Sequence, residues 1–188
     1  MIINIFGASG SGKTTYVKKL LKKKKIATFF ESFSKENHND LDINKVSISL
    51  IPLPKFRGSV KELFEIFSID INILMNLDNE LNELLESVFG KILDRKKLEN
   101  IFSREIETLS AGEIRRLFLL KTLLVDSKYF VLDEPFSNSD QKLWEIIYKA
   151  ISKKNNSIVL SHLSLENLFN SDIKNISVHI SNVNNNFL

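Results

Sequence analysis

A glycine-rich segment near the amino terminus constrains this chain more than any other feature. Residues Gly7 to Thr14 read GASGSGKT and fit the pattern G-x-x-x-x-G-K-[ST], directly after the apolar run Ile2 to Phe6. Glycines allow a tight turn whose backbone N–H groups face phosphates, and the following helix adds its positive end. The segment therefore predicts a phosphate-binding loop between a strand and a helix, with these nucleotide-binding residues: Gly7, Ala8, Ser9, Gly10, Ser11, Gly12, Lys13, Thr14 and Thr15.

Two adjacent carboxylates follow a second apolar strand. The run Lys128 to Pro135 reads KYFVLDEP, and it delivers Asp133 and Glu134 at the carboxyl end of the strand, where open α/β sheets place their ligands. Asp133 suits Mg²⁺ coordination together with the hydroxyl of Thr14, and Glu134 suits polarisation of a water that attacks the γ-phosphate. A purely structural alternative is that these residues cap the next helix.

A third segment opens the helix that precedes this strand. Leu109 to Glu113 reads LSAGE, and a strongly helical stretch runs from Ile114 to about Val125. Taken alone, Ser110 would be an ordinary helix N-cap. Its position shortly before the carboxylate strand favours a functional role.

Together these segments resemble the ATP-binding cassette (ABC) family of ATPases, whose signature reads LSGGQ where this chain has LSAGE. Phe136 to Asp140 is similar to the D-loop of the family. Ser161-His162, after the apolar strand Ile158 to Leu160, is similar to the segment that carries its switch histidine. A lone histidine at a strand end is more often structural. The resemblance covers Met1 to about Ser161.

The resemblance implies a sandwich in which two copies enclose ATP and Mg²⁺, each nucleotide lying between one P-loop and the other copy's signature. It implies these roles: catalytic Lys13, Glu134 and His162; metal-binding Thr14 and Asp133; opposite-protomer contacts Ser110, Ala111, Gly112 and Glu113; and D-loop residues Ser137 and Asp140. The carboxylate of Glu113 would repel phosphate if it faced inward. We therefore expect it to point away or to cap the helix.

The chain departs from the family pattern in two places. Leu53 stands where the family has the Q-loop glutamine, and an apolar side chain cannot bind Mg²⁺. The first strand also runs straight into the P-loop, so we expect the N-terminal antiparallel subdomain to be reduced and its adenine-stacking aromatic to be missing. Phe6 and Tyr16 are expected in the core. We therefore expect weak discrimination between ATP and GTP.

The apolar pattern predicts an α/β fold with a RecA-like core of ABC type. Strands are predicted at Ile2 to Phe6, Ile26 to Phe30, Val46 to Ile51, Tyr129 to Leu132 and Ile158 to Leu160, with a final edge strand through Ile176, Val178 and Ile180. Helical spacing between Gly58 and Thr108, including Ile92 and Leu93, predicts an inserted subdomain, and the tail Asn182 to Asn186 is expected to fray. We therefore expect residues 1–188 to form a single nucleotide-binding domain, with the core at 1–57 and 109–188 and the helical subdomain at 58–108.

Composition limits the kinds of site and partner that the chain can have. The 188 residues are 43% hydrophobic, enough for a substantial core, and the absence of cysteine excludes disulfides and thiolate metal sites. No signal peptide or membrane-length apolar run is expected. Net charge is only +3, and the lysines near the end of the first helix fit a solvated helix end, so no direct nucleic-acid partner is expected.

The leading interpretation is the ATP-hydrolysing subunit of a bacterial-type ABC transporter, cytoplasmic and peripheral to the membrane through a membrane-spanning partner, with a homodimer as its working form. Two alternatives stay open: a soluble ABC-type ATPase that remodels nucleic acid or a ribosome-like target, and a nucleotide-sensing switch that scarcely hydrolyses. A P-loop kinase would leave the signature and D-loop segments unexplained.

Overall fold

The computed structural model describes residues 1–33, 46–91, 95–154, 156–169 and 175–180. They form two compact units, one from Met1–Ile51, Asp126–Pro135 and Ser152–Leu188, the other from Pro52–Val125 and Phe136–Ile151. The predicted helical positions Ile92 and Leu93 and the predicted tail Asn182 to Asn186 lie outside the described residues.

The first unit is built on a parallel sheet, which confirms the predicted α/β fold class. Its described strands follow the order β2-β3-β4-β1-β5, and every pair of neighbours is parallel. Strand β2 ends two residues earlier than predicted, and the predicted final edge strand is present as β5. The strands are β1 (Ile2–Phe6), β2 (Val46–Ser49), β3 (Tyr129–Asp133), β4 (Ser157–Ser161) and β5 (Asn175–His179), and the helices are α1 (Lys13–Lys22), α2 (Ile26–Glu31) and α8 (Leu165–Leu168).

The core of the first unit lies between the sheet and helices α1 and α2. Ile3 and Ile5 alternate along β1 and join a buried apolar cluster with Val17 and Leu20 of α1. Tyr16 is buried in the same cluster, as predicted. Strands β1, β3 and β4 thereby end together at one edge of a rigid sheet, where their loops can form a site.

The predicted strand Ile26 to Phe30 is wrong, because these residues form helix α2. Ile26, Phe29 and Phe30 recur at helical spacing, and all three are buried against the core cluster. A short apolar run fits a strand and a helix equally well. In this structure the run covers the sheet with its apolar residues and adds no strand to it.

The second unit is helical within its described residues. Helix α4 packs on α6 through buried apolar residues such as Leu84, Leu85, Leu117 and Leu120. Some apolar side chains stay exposed near the end of α3 and beyond it, including Ile66 (66% exposed) and Phe67 (41%). The helices are α3 (Val60–Ile66), α4 (Asn79–Phe89), α5 (Arg95–Phe102), α6 (Ala111–Leu124) and α7 (Gln141–Ser152), with 3₁₀ turns at Ile71–Asn76 and Ile106–Thr108.

Candidate functional site

The loop between β1 and α1 surrounds one side of an open cleft of about 270 Å³ in the first unit. Gly12 adopts φ +93° at the start of α1, a conformation that glycine reaches without a Cβ clash. At Gly7, an added Cβ would lie only 2.8 Å from Cγ2 of Ile180, so this position also requires glycine. The residues that line the cleft are Ser9, Gly10, Ser11, Gly12, Lys13, Thr14, Thr15, Ile51, Asp133, Glu134 and His162.

Lys13 is a buried cation at the base of the loop, only 5% exposed. Its Nζ donates hydrogen bonds to the carbonyl oxygens of Gly7 at 2.7 Å and Ala8 at 3.1 Å. The same atom lies 3.7 Å from Oε1 of Glu134. The lysine thus has three acceptors around it, and an anionic ligand in the loop would meet a fixed positive charge.

Thr14 and Asp133 form a pair of oxygen atoms suited to a hard cation. The Oγ1 of Thr14 donates a 2.8 Å hydrogen bond to Oδ2 of Asp133, across from the P-loop to the end of β3. The backbone N–H of Ile51 donates to the same oxygen at 3.2 Å. Hydroxyl and carboxylate oxygens are the ligands that Mg²⁺ prefers, together with water and phosphate oxygens.

No complete metal cage accompanies this pair, since the described residues contain no group of three or more His, Asp or Glu side chains able to hold a metal. A divalent cation here would need ligands from a phosphate chain or from water. That is the common arrangement for Mg²⁺ at nucleotide sites.

Glu134 has a strained backbone and a shielded side chain. Its φ is +50°, in the left-handed region that non-glycine residues adopt at a cost of about 1–2 kcal/mol. Its N–H donates to the carbonyl of Leu160 at 2.8 Å, and its side chain is 17% exposed. Glycine would take this conformation freely, so the strain points to a use for the carboxylate.

The electrostatics of Glu134 favour a proton acceptor. Burial raises the pKa of the Glu134 carboxyl, and the nearby charges of His162 and Lys13 act in the opposite direction while Asp133 adds to the rise. A raised pKa makes the carboxylate a stronger base than an exposed glutamate. When it is ionised, the ammonium group of Lys13 lies 3.7 Å from its Oε1.

His162 meets Glu134 from the loop that follows β4. Its Nε2 lies 3.4 Å from Oε1 of Glu134, and its side chain is 53% exposed. Helix α7 separates its strand from β3 along the chain, in the predicted order. Lys13, Asp133, Glu134 and His162 therefore come together in one cleft, where a phosphate chain on the loop would face all four.

The signature segment begins helix α6 in the second unit. Ser110 is the N-cap: its Oγ accepts from the N–H of Glu113 at 3.3 Å, and Glu113 Oε2 accepts from the N–H of Ser110 at 2.7 Å. Hydrogen bonds from the Ser110 side chain and backbone lower the pKa of Glu113. Of the two expected arrangements of Glu113, pointing away or capping the helix, the structure has the cap. Ala111 and Gly112 follow in the first turn.

The D-loop residues are engaged within the second unit. Ser137 accepts a hydrogen bond from the guanidinium of Arg115, two residues after the signature segment. The Oδ1 of Asp140 accepts from the N–H of Leu143 at 2.8 Å, which is an N-cap contact for α7. Leu53 is partly exposed in the loop that precedes α3.

Sequence reasoning missed two contributors to the first unit's site. The N–H of Ile51 holds Asp133, and the buried amide of Asn4 binds the loop that carries His162. A backbone donor leaves no signal in a sequence. An asparagine in the middle of an apolar strand is a signal, because it predicts a specific buried hydrogen-bonding role.

Comparison with known proteins places this geometry in a family. The family model described as ABC transporter matches residues 1–137. None of the helices in the described ranges is both long enough and apolar enough to cross a membrane.

Two curated relatives illustrate the similarity. The uncharacterized ABC transporter ATP-binding protein YnjD of Escherichia coli strain K12 is 32% identical over 149 residues, covering 76% of this chain and 64% of the relative. The Fe(3+) ions import ATP-binding protein FbpC of Fusobacterium nucleatum is 28% identical over 156 residues, covering 82% of this chain and 40% of the relative. This chain spans less than two thirds of the length of either relative.

A solved structure shares the fold. It is the crystal structure of the complex of archaeal ribosomal stalk protein aP1 and archaeal ribosome recycling factor aABCE1, in which the matching chain is 26% identical with a TM-score of 0.57. The match covers 86% of this chain and 28% of that one.

Proposed function

Because this chain belongs to the ABC transporter family of ATPases, we propose that it is the ATP-binding and ATP-hydrolysing subunit of an ABC transporter and powers transport by a membrane-spanning partner. The observation that carries the proposal is the strained, shielded Glu134 with Lys13 at 3.7 Å and His162 at 3.4 Å. All three line the cleft that the P-loop surrounds.

The residues of the cleft divide the chemistry among them. Lys13 and the N–H groups at the start of α1 bind the phosphate chain of ATP. Thr14 and Asp133 would hold Mg²⁺, which when bound neutralises charge on the phosphate oxygens. Glu134 accepts a proton from the attacking water, and its raised pKa suits that role. We assign to His162, whose Nε2 lies 3.4 Å from Glu134, a contact with the transferring phosphoryl group.

We propose that two copies form the sandwich that the family resemblance implies. The first N–H groups of a helix have no acceptor within it, so Ala111 and Gly112 at the start of α6 can donate to a phosphate on another protomer. The capping contact of Glu113 directs its charge to the N–H of Ser110. That contact lessens the repulsion which this carboxylate would otherwise exert.

A membrane-spanning subunit is the proposed partner. The relatives named above include a protein whose name describes import of Fe(3+) ions. Exposed apolar side chains of the helical unit, Ile66, Phe67, Ile73 and Met75, offer a surface for such a subunit. The chain would then act at the cytoplasmic face of a membrane. The division into a core at 1–57 and 109–188 and a helical subdomain at 58–108 stays a prediction.

A second candidate is a soluble ABC ATPase that acts on a large assembly, or a related nucleotide switch. Similarity to the ribosome recycling factor structure favours it, as does Leu53 in place of a polar Q-loop residue. Co-purification separates the two: a polytopic membrane protein that accompanies the chain supports transport, and ribosomal components support the alternative.

Sedimentation velocity of Glu134→Gln tests the proposal. With ATP and Mg²⁺, this variant should bind nucleotide without hydrolysing it and should sediment as a dimer. The control Glu134→Gln, Ser110→Arg should bind ATP equally well but stay monomeric, since the added side chain blocks the start of α6. A dimer that forms without ATP, or that survives Ser110→Arg, would contradict the sandwich.

A further inference from the structure

Asn4 is a polar residue at the centre of β1, a strand whose first four residues are buried. It is 0% exposed, and its neighbours Ile3 and Ile5 belong to the apolar core. Burying an amide without hydrogen-bond partners costs about 1–3 kcal/mol by mutational measures, so strands of parallel sheets are usually continuous apolar runs. This asparagine therefore needs a reason beyond packing.

The side chain of Asn4 uses both its donors and its acceptor. Its Nδ2 donates to the Val159 carbonyl at 3.1 Å and to Oγ of Ser161 at 2.7 Å, both on β4. Its Oδ1 accepts from the N–H of Leu165 at 2.9 Å, at the start of α8. A longer contact of 3.5 Å brings the hydroxyl of Ser177 to the same oxygen.

These contacts hold both ends of the loop that carries His162. Ser161 and Leu165 are its two end residues, and the hydroxyl of Ser161 also donates a hydrogen bond to the carbonyl of Leu163. The Ser161 carbonyl accepts from the N–H of Gly7, the first residue of the P-loop. One buried amide thus ties the histidine loop to the strand that leads into the phosphate-binding loop.

His162 depends on this restraint because little packing holds its side chain, which is 53% exposed. The backbone of its loop therefore determines which positions the ring can reach, including the one in which Nε2 lies 3.4 Å from Glu134. The β1–β4 ladder pairs Asn4 with Val159 through main-chain atoms, so the sheet itself does not require the amide.

We propose that Asn4 is a positioning residue that holds His162 against Glu134, acting through the hydroxyl of Ser161 and the N–H of Leu165. This inference rests on the proposed ATPase function, in which His162 contacts the transferring phosphoryl group. Asn4 itself is fully buried and is not among the residues that line the cleft.

Steady-state ATPase kinetics of Asn4→Ala, His162→Ala and the double variant form the first test. Small displacements of a reacting group cost about tenfold to a hundredfold in rate, so we expect kcat of Asn4→Ala to fall by about tenfold while KM stays within about twofold. Because Asn4 acts through His162, the double variant should be no slower than His162→Ala alone. Losses that multiply in the double variant, or an unchanged kcat in folded Asn4→Ala, would overturn the proposal.

Smaller substitutions in the same hydrogen-bond network distinguish a loss of positioning from a folding defect in Asn4→Ala. Ser161→Ala should lower kcat as Asn4→Ala does. Ser161→Thr should keep kcat close to the wild-type value, because it retains the hydroxyl. The matched control is Ser157→Ala on the same strand, since this buried hydroxyl has no hydrogen-bond partner among the described residues and its loss should leave kcat unchanged. Equal kcat for Ser161→Ala and Ser161→Thr would contradict the role of the hydroxyl.

Amide hydrogen exchange tests the inference independently of turnover. The Leu165 N–H should exchange about tenfold or more faster in Asn4→Ala than in the wild type, and at the wild-type rate in Ser157→Ala. If exchange responds in this way but the wild type hydrolyses no ATP, the restraint stands and the proposed function fails. Unchanged exchange at Leu165 would overturn the restraint itself.

Discussion

The Nζ of Lys13 lies 3.7 Å from Oε1 of Glu134 while it donates to the carbonyl oxygens of Gly7 and Ala8. The ammonium group is thus held between the loop that would bind phosphate and the carboxylate that would activate water. A phosphate bound in the loop would meet this charge without any large movement of the side chain.

Lys13→Ala should weaken ATP binding by about tenfold to a hundredfold. A hydrogen bond to a charged group contributes about 1.5–3 kcal/mol, and each 1.4 kcal/mol is a factor of ten in affinity. Isothermal titration calorimetry measures the change. Lys18→Ala, an exposed lysine on the same helix, is the control and should stay within about twofold of wild type. Equal affinities for the two variants would mean that Lys13 does not contact nucleotide.

Asp133→Asn should weaken nucleotide binding only when Mg²⁺ is present. The asparagine oxygen can still accept from Thr14 and from the N–H of Ile51, so the local hydrogen bonds survive and the negative charge is lost. We expect about a tenfold loss of ATP affinity with Mg²⁺ and little change with EDTA. The exposed Asp126→Asn serves as the control. An identical loss under both conditions would argue against a metal at this pair.

The buried Lys121 of α6 should make the free energy of unfolding depend on pH. It is 4% exposed, its Nζ lies 3.9 Å from the ring centroid of Phe67, and burial lowers its pKa to about 8 from 10.5. Between pH 8 and pH 10.5, Lys121 is more often protonated in the unfolded chain than in the folded one. Stability should therefore rise with pH in this window.

Comparison of Lys121→Met with wild type isolates this effect. The variant should be more stable at pH 7.5, by up to about 3 kcal/mol at 1.4 kcal/mol per pKa unit, and its advantage should shrink toward pH 10. Urea unfolding at several pH values measures the free energy of unfolding of both proteins. Tyrosine titration contributes equally to both and cancels in the difference. The exposed Lys96→Met should show no such trend. A difference that is constant with pH would contradict the assignment.

The sequence predicted the parts of the site that depend on local patterns. The P-loop, the strand before it and the carboxylates at the end of β3 follow from glycine spacing and apolar runs, and the structure has β1 over Ile2–Phe6 as expected. Charge repulsion predicted that Glu113 would either point away from the phosphate or cap its helix, and it caps the helix.

The features that the sequence did not predict depend on contacts between residues that are distant in the chain. Ile26 to Phe30 form a helix whose apolar residues pack against the sheet, and this long-range packing leaves no signal in the run itself. The contact of Asn4 with Leu165 joins residues 161 positions apart. Such contacts become visible only when the sheet brings β1 and β4 together.

The most direct test of the account is steady-state ATPase activity of the purified chain with Mg²⁺, measured beside Glu134→Gln. The amide keeps the shape of the side chain but cannot accept the proton, so turnover should fall by about a hundredfold or more while ATP still binds. Glu145→Gln, an exposed glutamate on α7, should match the wild type. Turnover in Glu134→Gln close to that of the wild type would show that Glu134 is not the catalytic carboxylate and would contradict the proposed mechanism.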